Sequence, residues 1–367
     1  MPLAPSRNLS LDVLRGLTLA LMIVVNTPGS WDALYAPLAH AAWHGYTPTD
    51  LVFPTFLFVV GAAMRLSMKK FAGQGEGQFL WTVGKRAALI FLCGYLLYWF
   101  PFLDNDFAPI PIGGTRIMGV LQRIGLCYLF AALVVRHGGV RGAIGFGVAA
   151  LLGYWWMLAA FGDLTLAGNA PRAIDLAVLG EAHMYKGEGI AFDPEGILST
   201  LPAVVNVLAG YLAMAWLGVA GCNVCALRRM AAAAGLCLLL ASLWDLVLPV
   251  NKKLWTSSYV LLTVGYDLLL LALLAWVVDI RRWRTGMHFF VVFGRNPLFI
   301  YLLSSAASTV LWRVQVGGTS LYQWLYRDGF LPWTTPKLAS LLFALVFMWG
   351  CWVVAYVMDR RGVYIKL

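Results

Sequence analysis

Long apolar runs recur along the whole chain and are separated by shorter polar segments. An α-helix needs about 20 predominantly apolar residues to cross the roughly 30 Å of hydrocarbon in a bilayer. We therefore predict an all-α integral membrane protein, with one transmembrane domain over residues 1–367 and about ten transmembrane helices. The predicted spans are 11–26, 51–68, 81–100, 116–135, 142–161, 197–218, 229–248, 255–278, 288–312 and 337–357.

The composition supports a membrane protein. Hydrophobic residues make up 61% of the chain and charged residues only 12%, and the mean hydropathy is +0.76. The net charge of +10 would suggest a nucleic-acid partner in a soluble protein. Here the basic residues are spread over the loops between spans. We therefore expect contact with a lipid bilayer and no nucleic-acid partner.

The distribution of Lys and Arg between alternate loops predicts the orientation of the chain. With the amino terminus in the cytoplasm, that side receives sixteen of these residues and the opposite side eight. Cytoplasmic loops of membrane proteins carry such an excess. We therefore expect both termini in the cytoplasm and residues 27–50 on the outer side.

Two short patterns could indicate a metal site, and neither is complete. Cys222 and Cys225 form a C-x-x-C pair without a second pair or a nearby His, whereas a structural zinc site needs four ligands. His40 and His44 are four residues apart but lack the H-E-x-x-H pattern. We expect no metal cofactor.

The segment 38–54 places His40, His44 and Asp50 directly against an apolar run. Ionisable groups beside a membrane span are costly and by default indicate a functional site. An imidazole can act as a base, an acid or an acyl acceptor, so His40 is a candidate for acyl transfer. A His beside Trp43 could instead belong to the aromatic belt at the membrane interface.

Asp50 has two compatible interpretations. The run Thr47-Pro48-Thr49-Asp50 is typical of a helix start, with a cap residue, a proline at the first position and an acid near the positive end of the helix dipole. This capping role could be the complete explanation. A carboxylate fixed there could also orient the imidazole of His40.

The first span carries polar residues at both of its ends. Asp12 and Arg15 lie one turn apart and could form an ion pair or bind a phosphate. Asn26 ends the span and could be a plain helix terminator or a ligand contact. Eleven residues separate Arg15 from Asn26, roughly 16 Å along a helix, so one helix could touch both ends of a long ligand.

Further polar residues lie within or beside later spans. Gln122 and Arg123 lie inside the fourth span, where Arg123 must find an anion or a carbonyl as partner. Asn296 precedes Pro297 in the ninth span. The segments 192–200 and 251–259 are polar helix entries that could be simple caps or could share a pocket with Thr47 to Asp50.

The chain resembles the heparan-alpha-glucosaminide N-acetyltransferase family and its bacterial relatives. The resemblance rests on ordered blocks that run through almost the whole chain. These are Arg7 to Gly16, Val25-Asn26, His40 to Gly45 with Asp50 to Pro54, Gly119 to Gly125, Asp193 to Ser199, Pro249 to Trp255 and Gly294 to Tyr301.

Membership implies a transmembrane acetyltransferase, usually a homodimer, that takes acetyl from cytoplasmic acetyl-CoA and delivers it to a sugar amine across the membrane. His40 matches the catalytic histidine of the family, and Asn26 matches its catalytic asparagine. Asp50 matches the aspartate after the histidine motif. The resemblance to bacterial relatives implies a multi-pass protein of the bacterial inner membrane.

These observations lead to one hypothesis and two alternatives. We expect acetyl transfer from acetyl-CoA to the amine or hydroxyl of an amino sugar or glycan on the periplasmic side, with catalytic His40, Asn26 and Asp50. The expected donor-binding residues are Arg15, Asp12, Arg123, Gln122 and Asn296. The main alternative is an inner-membrane permease for an amino sugar such as N-acetylglucosamine, in which the same groups bind the sugar near the membrane middle. A scaffold protein would leave Arg123 and the His-Asp pair unexplained.

Overall fold

The computed structural model describes residues 8–68, 71, 73–104 and 108–365. They form a helical bundle, and the prediction of a mainly helical, multi-span protein is confirmed. The helices are α1 Leu9–Asn26, α2 Val52–Met68, α3 Glu76–Trp99, α4 Val120–Ala160, α5 Ala170–Leu179, α6 Thr200–Ala220, α7 Val224–Asp245, α8 Ser257–Leu274, α9 Met287–Arg295, α10 Pro297–Arg313, α11 Leu321–Trp324 and α12 Pro336–Arg360.

Short irregular elements connect these helices. π-helical turns follow α8 at Ala275–Ile280 and α11 at Leu325–Phe330. Two-residue antiparallel strands, β1 Gln315–Val316 and β2 Thr319–Ser320, pair between α10 and α11. Short 3₁₀ turns lie at Ala36–Leu38, Pro48–Leu51, Ile112–Gly114, Glu181–His183 and Leu331–Trp333.

Within the described part of the chain, eight helices are long and apolar enough to cross a membrane, or up to nine if α9 and α10 are one broken span. The predicted span 288–312 is this pair, bent by 85°, because Pro297 cannot continue the hydrogen bonds of a preceding helix. The predicted spans 116–135 and 142–161 are joined in α4. Gly139 interrupts α4 with φ 56° and ψ −147°, and 41 helical residues would extend roughly 60 Å, about two bilayer cores.

Both ends of the described chain lie at the same end of the bundle. At one end of α1, the Gly29 amide donates to the Ser340 carbonyl beside the start of α12 (3.2 Å). At the other end of α1, Arg15 contacts Gly294, and the side chain of Asn296 binds residues beyond the end of α12. We call the end at Asp12, Gly294 and Val363 the terminal face. We call the opposite end, with residues 27–51, 161–199 and 246–256, the site face.

Four of the basic residues that were counted to predict the orientation lie outside the described residues. They are Arg7, Lys69, Lys70 and Lys366.

The helices α2 and α6 pack backbone against backbone. A Cβ added to Gly61 would lie 1.7 Å from the Val207 carbonyl oxygen, and one added to Gly210 would lie 1.8 Å from the Phe58 carbonyl oxygen. Small residues at such crossings let membrane helices approach closely. This crossing fixes α2 against the centre of the bundle. The 3₁₀ turn Pro48–Leu51, which carries Asp50, directly precedes α2.

Gly61→Ala is expected to destabilise the protein by about 1–3 kcal/mol, because the added methyl group overlaps backbone that cannot move without separating α2 from α6. The matched control is Gly84→Ala in α3, where an added Cβ meets nothing within 4 Å. Thermal unfolding of the detergent-solubilised variants measures the effect. Equal midpoints for the two variants would contradict the close packing.

Candidate active site

A capped turn at the start of α2 fixes Asp50. The Asp50 Oδ2 atom accepts hydrogen bonds from the Thr47 backbone amide (2.9 Å) and the Thr47 hydroxyl (3.2 Å). Together with Pro48 at the first position, this is the predicted helix start, and the capping role of Asp50 is confirmed. The backbone carbonyl of Asp50 accepts a further hydrogen bond from the Tyr259 hydroxyl of α8 (2.5 Å).

The second carboxylate oxygen of Asp50 faces His40. The distance from Asp50 Oδ1 to His40 Nδ1 is 2.6 Å, and the Ala41 amide donates to Asp50 Oδ2 at 3.1 Å. The Asp50 side chain is only 1% exposed, whereas that of His40 is 37% exposed. The carboxylate is therefore buried beneath the loop, and the imidazole that it contacts reaches the surface of the site face.

This contact determines which nitrogen of His40 is available. Asp50 Oδ2 already accepts from three donors, which favours the carboxylate form. A short contact between a carboxylate and Nδ1 then requires the proton on Nδ1. In the neutral imidazole, the lone pair is then on Nε2, which makes no hydrogen bond to any described residue. This tautomer presents Nε2 as a proton acceptor.

A lysine from the segment before α8 completes the group. Lys252 Nζ lies 3.3 Å from Asp50 Oδ1 and 3.0 Å from His40 Nδ1. The segment is attached to the His40 loop through Gly45, whose amide donates to the Val250 carbonyl (2.7 Å) and whose φ of +88° suits glycine. The sequence marked residues 251–259 only as a polar helix entry, and Lys252 was not among the predicted site residues.

The neighbouring Lys253 has separate partners. Its Nζ atom donates to Glu188 (2.5 Å) and to the Ala42 carbonyl (2.9 Å). Trp43 beside it donates from Nε1 to the Leu164 carbonyl (2.8 Å). The loop that carries His40 is therefore held from two sides, by the segment before α8 and by the long connection between α4 and α6.

Asn26 lies at the end of α1, as predicted, with its side chain exposed. It lines a cleft of about 200 Å³ together with Tyr301 and the hydroxyl-bearing residues Ser304, Ser305 and Ser308 of α10. No described hydrogen bond joins Asn26 to His40 or Asp50. Asn26 thus presents an amide to a polar cleft.

The predicted donor-binding residues lie at two different ends of the bundle. Arg15 Nη1 contacts Asp12 Oδ1 (3.3 Å) and the Gly294 carbonyl (3.1 Å) at the terminal face. Asn296 lies at the same face, where its amide donates to the Val363 carbonyl (2.9 Å) and accepts from the Ile365 amide (2.9 Å). Asn296 therefore attaches the segment after α12 to the break between α9 and α10.

Gln122 and Arg123 lie in the first turn of α4, at the site face, and both are fully buried. The guanidinium of Arg123 donates to the Gly196 carbonyl (3.1 Å) and to Ser199, so it finds the carbonyl partner that its burial requires. It also lies 4.8 Å above the ring of Trp255. The Nε and Nη1 atoms of Arg123 and both amide atoms of Gln122 have no hydrogen-bond partner among the described residues.

An ion cluster around Arg116 attaches the segment before α6 to the start of α4. The sequence did not predict this cluster. Arg116 Nη2 lies 2.5 Å from Asp193 Oδ1 and 2.6 Å from Glu195 Oε2, and its Nη1 atom donates to the Tyr98 hydroxyl (3.1 Å). Beside this cluster, burial raises the pKa of Asp175 to about 7. The sequence signal was one Arg just before α4 facing an acidic loop, but nothing in the sequence paired them.

Among the described residues, no group of three or more His, Cys, Asp or Glu side chains could hold a metal ion. The cysteines of the C-x-x-C pair, Cys222 and Cys225, are free and exposed. The groups that the site offers for chemistry are the imidazole, the carboxylate and the nearby amides and cations.

Comparisons with known proteins point to one enzyme family. Residues 7–180 match the family model described as heparan-alpha-glucosaminide N-acetyltransferase, catalytic. Heparan-alpha-glucosaminide N-acetyltransferase of Homo sapiens is 28% identical over 81% of this chain and 52% of its own length. The Mus musculus protein of the same name is 26% identical over 79% of this chain and 52% of its own length. The chain thus spans about half the length of these curated relatives.

Proposed function

The chain is a homologue of the heparan-alpha-glucosaminide N-acetyltransferases, and from this premise we propose that it is a transmembrane acetyltransferase that transfers acetyl from acetyl-CoA to an amino sugar. The observation that carries the proposal is the 2.6 Å contact between Asp50 Oδ1 and His40 Nδ1. It directs the other ring nitrogen, Nε2, of a partly exposed imidazole away from Asp50, where it can act as the base in acyl transfer.

In the proposed reaction, the acceptor nitrogen attacks the carbonyl carbon of the thioester while His40 Nε2 takes its proton. The C–S bond then breaks, and the imidazolium returns the proton to the departing sulfur. The products are the N-acetylated sugar and the free thiol of CoA. If His40 instead takes the acetyl group first, the same Nε2 atom is the nucleophile. A hydroxyl acceptor would follow the same course and give an ester.

Asn26 is proposed to stabilise the negative charge that develops on the thioester oxygen. Its amide can donate hydrogen bonds into the cleft beside α10. Donors fixed in a partly desolvated site are effective because they need no reorganisation when the charge forms. The position of Asn26 at the last residue of α1 supports this role.

Asn26→Ala is expected to reduce kcat about 10²-fold, with a smaller change in the KM for acetyl-CoA, because one oxyanion donor contributes mainly in the transition state. The side chain is exposed, so the thermal unfolding midpoint should change little. Steady-state thiol release measures both constants. The control is Ser30→Ala, since Ser30 lies just beyond α1 and bonds only to the start of α12 and its own loop. A loss confined to KM would contradict the assigned role.

We further propose ten membrane crossings with both termini in the cytoplasm. The bent pair counts as one crossing, and the break at Gly139 divides α4 into two, so the eight apolar helices become ten crossings. The excess of Lys and Arg on the terminal side supports the orientation.

In this orientation, acetyl-CoA arrives from the cytoplasm, with its phosphates near Arg15, Asp12 and the turn at Asn296. The acceptor arrives at the periplasmic site face. Gln122 and Arg123 would act at the site face, on the acyl end of the donor. A homodimer in the bacterial inner membrane is part of the proposal.

The deciding experiment incubates the purified protein with acetyl-CoA and glucosamine and measures free thiol and acetylated sugar. We expect equal amounts of the two products, and neither product from heat-denatured protein. Absence of thiol release by folded protein, with a series of amines and alcohols as acceptors, would contradict the enzymatic proposal.

One observation favours a permease as a second candidate. The 85° bend between Met287–Arg295 and Pro297–Arg313 is a broken helix, an element from which secondary transporters build substrate sites near the membrane middle, but this break lies at the terminal face. Uptake of labelled glucosamine into vesicles that contain the protein, without acetyl-CoA and without thiol release, would support the permease. Acetylation of a sugar that is present only outside sealed vesicles, from acetyl-CoA inside, would support the transferase.

A further inference from the structure

We propose that Lys252 is a positioning residue that keeps His40 in the neutral form with its lone pair on Nε2. The inference deepens the proposed function, since a neutral imidazole is what that function uses. It is carried by the triangle of Lys252 Nζ, Asp50 Oδ1 and His40 Nδ1, whose sides are 3.3, 2.6 and 3.0 Å.

The triangle favours one role for Nδ1, that of donor. Nδ1 either donates to Asp50 or accepts from Lys252, because a ring nitrogen cannot do both. If Nδ1 accepted, its lone pair would face the carboxylate at 2.6 Å, which is a repulsive contact. The favourable arrangement has Asp50 Oδ1 accepting from both Nδ1 and the ammonium group. The cation and the imidazole are thus adjacent donors to one oxygen.

The adjacent cation opposes a second proton on the imidazole. Asp50 alone would stabilise an imidazolium, which has no lone pair to offer an acceptor. The positive charge of Lys252, at 3.0 Å from the ring, counteracts this effect. Burial lowers the pKa of Lys252, while the carboxylates of Asp50 and Glu195 act in the opposite direction and favour its charged form.

The other charges near this loop are already paired. Lys253 forms an ion pair with Glu188 at 2.5 Å, and Glu195 forms one with Arg116 at 2.6 Å. The Lys253 pair is neutral overall, whereas Arg116 serves two carboxylates, Asp193 and Glu195. None of these groups has a contact with His40 Nδ1 or Asp50 Oδ1 among the described residues. His44, four residues along the same loop, faces Asn251 at 3.4 Å instead. Lys252 is the cation that contacts both members of the His-Asp pair.

The test measures protonation of His40 without using turnover. Diethyl pyrocarbonate modifies neutral imidazoles, so the rate of modification at the His40 peptide, followed by mass spectrometry across pH 5 to 8, gives a midpoint. In Lys252→Gln we expect the midpoint to rise by about one pH unit, the size of effect that a nearby unit charge has. Lys252→Arg should keep the wild-type midpoint. The matched control is Lys253→Gln combined with Glu188→Gln, which removes the neighbouring ion pair as a whole and should also keep the wild-type midpoint.

Two results would overturn the inference. One is an unchanged midpoint in folded Lys252→Gln, which would leave Lys252 as a structural attachment of the loop. The other concerns folding. If Lys252→Gln and Lys252→Met both fail to fold, and Lys252→Arg folds with an altered midpoint, the lysine supports the fold and its charge does not set the proton position.

The outcome is separable from that of the proposed function. If modification shows the expected shift but wild-type protein releases no thiol from acetyl-CoA, the role of Lys252 is supported and the acetyltransferase proposal fails. If wild-type protein is active, the acidic limb of its kcat/KM profile should move to higher pH in Lys252→Gln by the same interval as the modification midpoint. A purely structural role would lower kcat/KM at every pH and leave the limb in place.

Discussion

His40→Ala is expected to reduce kcat/KM for acetyl transfer by about 10²- to 10⁴-fold, the contribution typical of a general base. The loss should be in kcat whichever route the acetyl group follows, because the variant lacks both the base and the nucleophile. The side chain is partly exposed in a loop, so the fold should survive. Thiol release and acetylated glucosamine, measured together, check the prediction.

The matched control is His44→Ala. His44 lies on the same loop and is exposed. Its ring is edge-on to Trp43, and its polar contact among the described residues is a long one of 3.4 Å with Asn251. It should retain activity within a few-fold of the wild type. Equal losses in the two variants would indicate a disturbed loop and would contradict a specific role for His40. Labelled acetyl retained on wild-type protein without acceptor, and absent from His40→Ala, would distinguish the covalent route from direct transfer.

The sequence predicted the spans well because each must be apolar over a fixed length. Departures occur where one residue changes the backbone path. Gly139 allows two predicted spans to meet inside α4, and Pro297 bends a single predicted span by 85°. A hydropathy pattern measures apolar length and contains no information on bend angle. The positions of the apolar segments were therefore easier to predict than the number and continuity of the helices.

The candidate site was predictable where its residues are close in sequence. His40 and Asp50 are ten residues apart, and the capping pattern fixes the position of the carboxylate. Lys252 lies 212 residues after His40, and its pairing depends on how α8 packs beside α2. The same limit applies to Gln122 and Arg123. That they lie at the opposite end of the bundle from Arg15 follows only from the topology of the spans.

Asp50→Asn is expected to reduce kcat by about 10³- to 10⁴-fold, comparable to the loss when the carboxylate of a Ser-His-Asp triad becomes an amide. The side-chain amide of asparagine cannot replace both carboxylate oxygens of Asp50. Its oxygen is needed at Oδ2, where the Thr47 amide, the Thr47 hydroxyl and the Ala41 amide donate. The NH₂ group then faces His40 Nδ1 and Lys252.

A donor at that point requires Nδ1 to accept, which moves the ring proton to Nε2 and removes the basic lone pair from the reacting side. Turning the amide over instead places its NH₂ group against three donors and weakens the helix start by about 0.5–2 kcal/mol, the usual loss for a broken cap. Thr47→Val separates the two effects, because it removes the hydroxyl that contacts the Ala39 carbonyl (2.6 Å) and Asp50 Oδ2 (3.2 Å) and leaves the carboxylate beside His40. We expect Thr47→Val to lower the thermal midpoint with kcat nearly unchanged, and Asp50→Asn to lower kcat far more than its midpoint implies. If Thr47→Val lost as much kcat as Asp50→Asn, the importance of Asp50 would lie in its cap, and the oriented imidazole would lose its support.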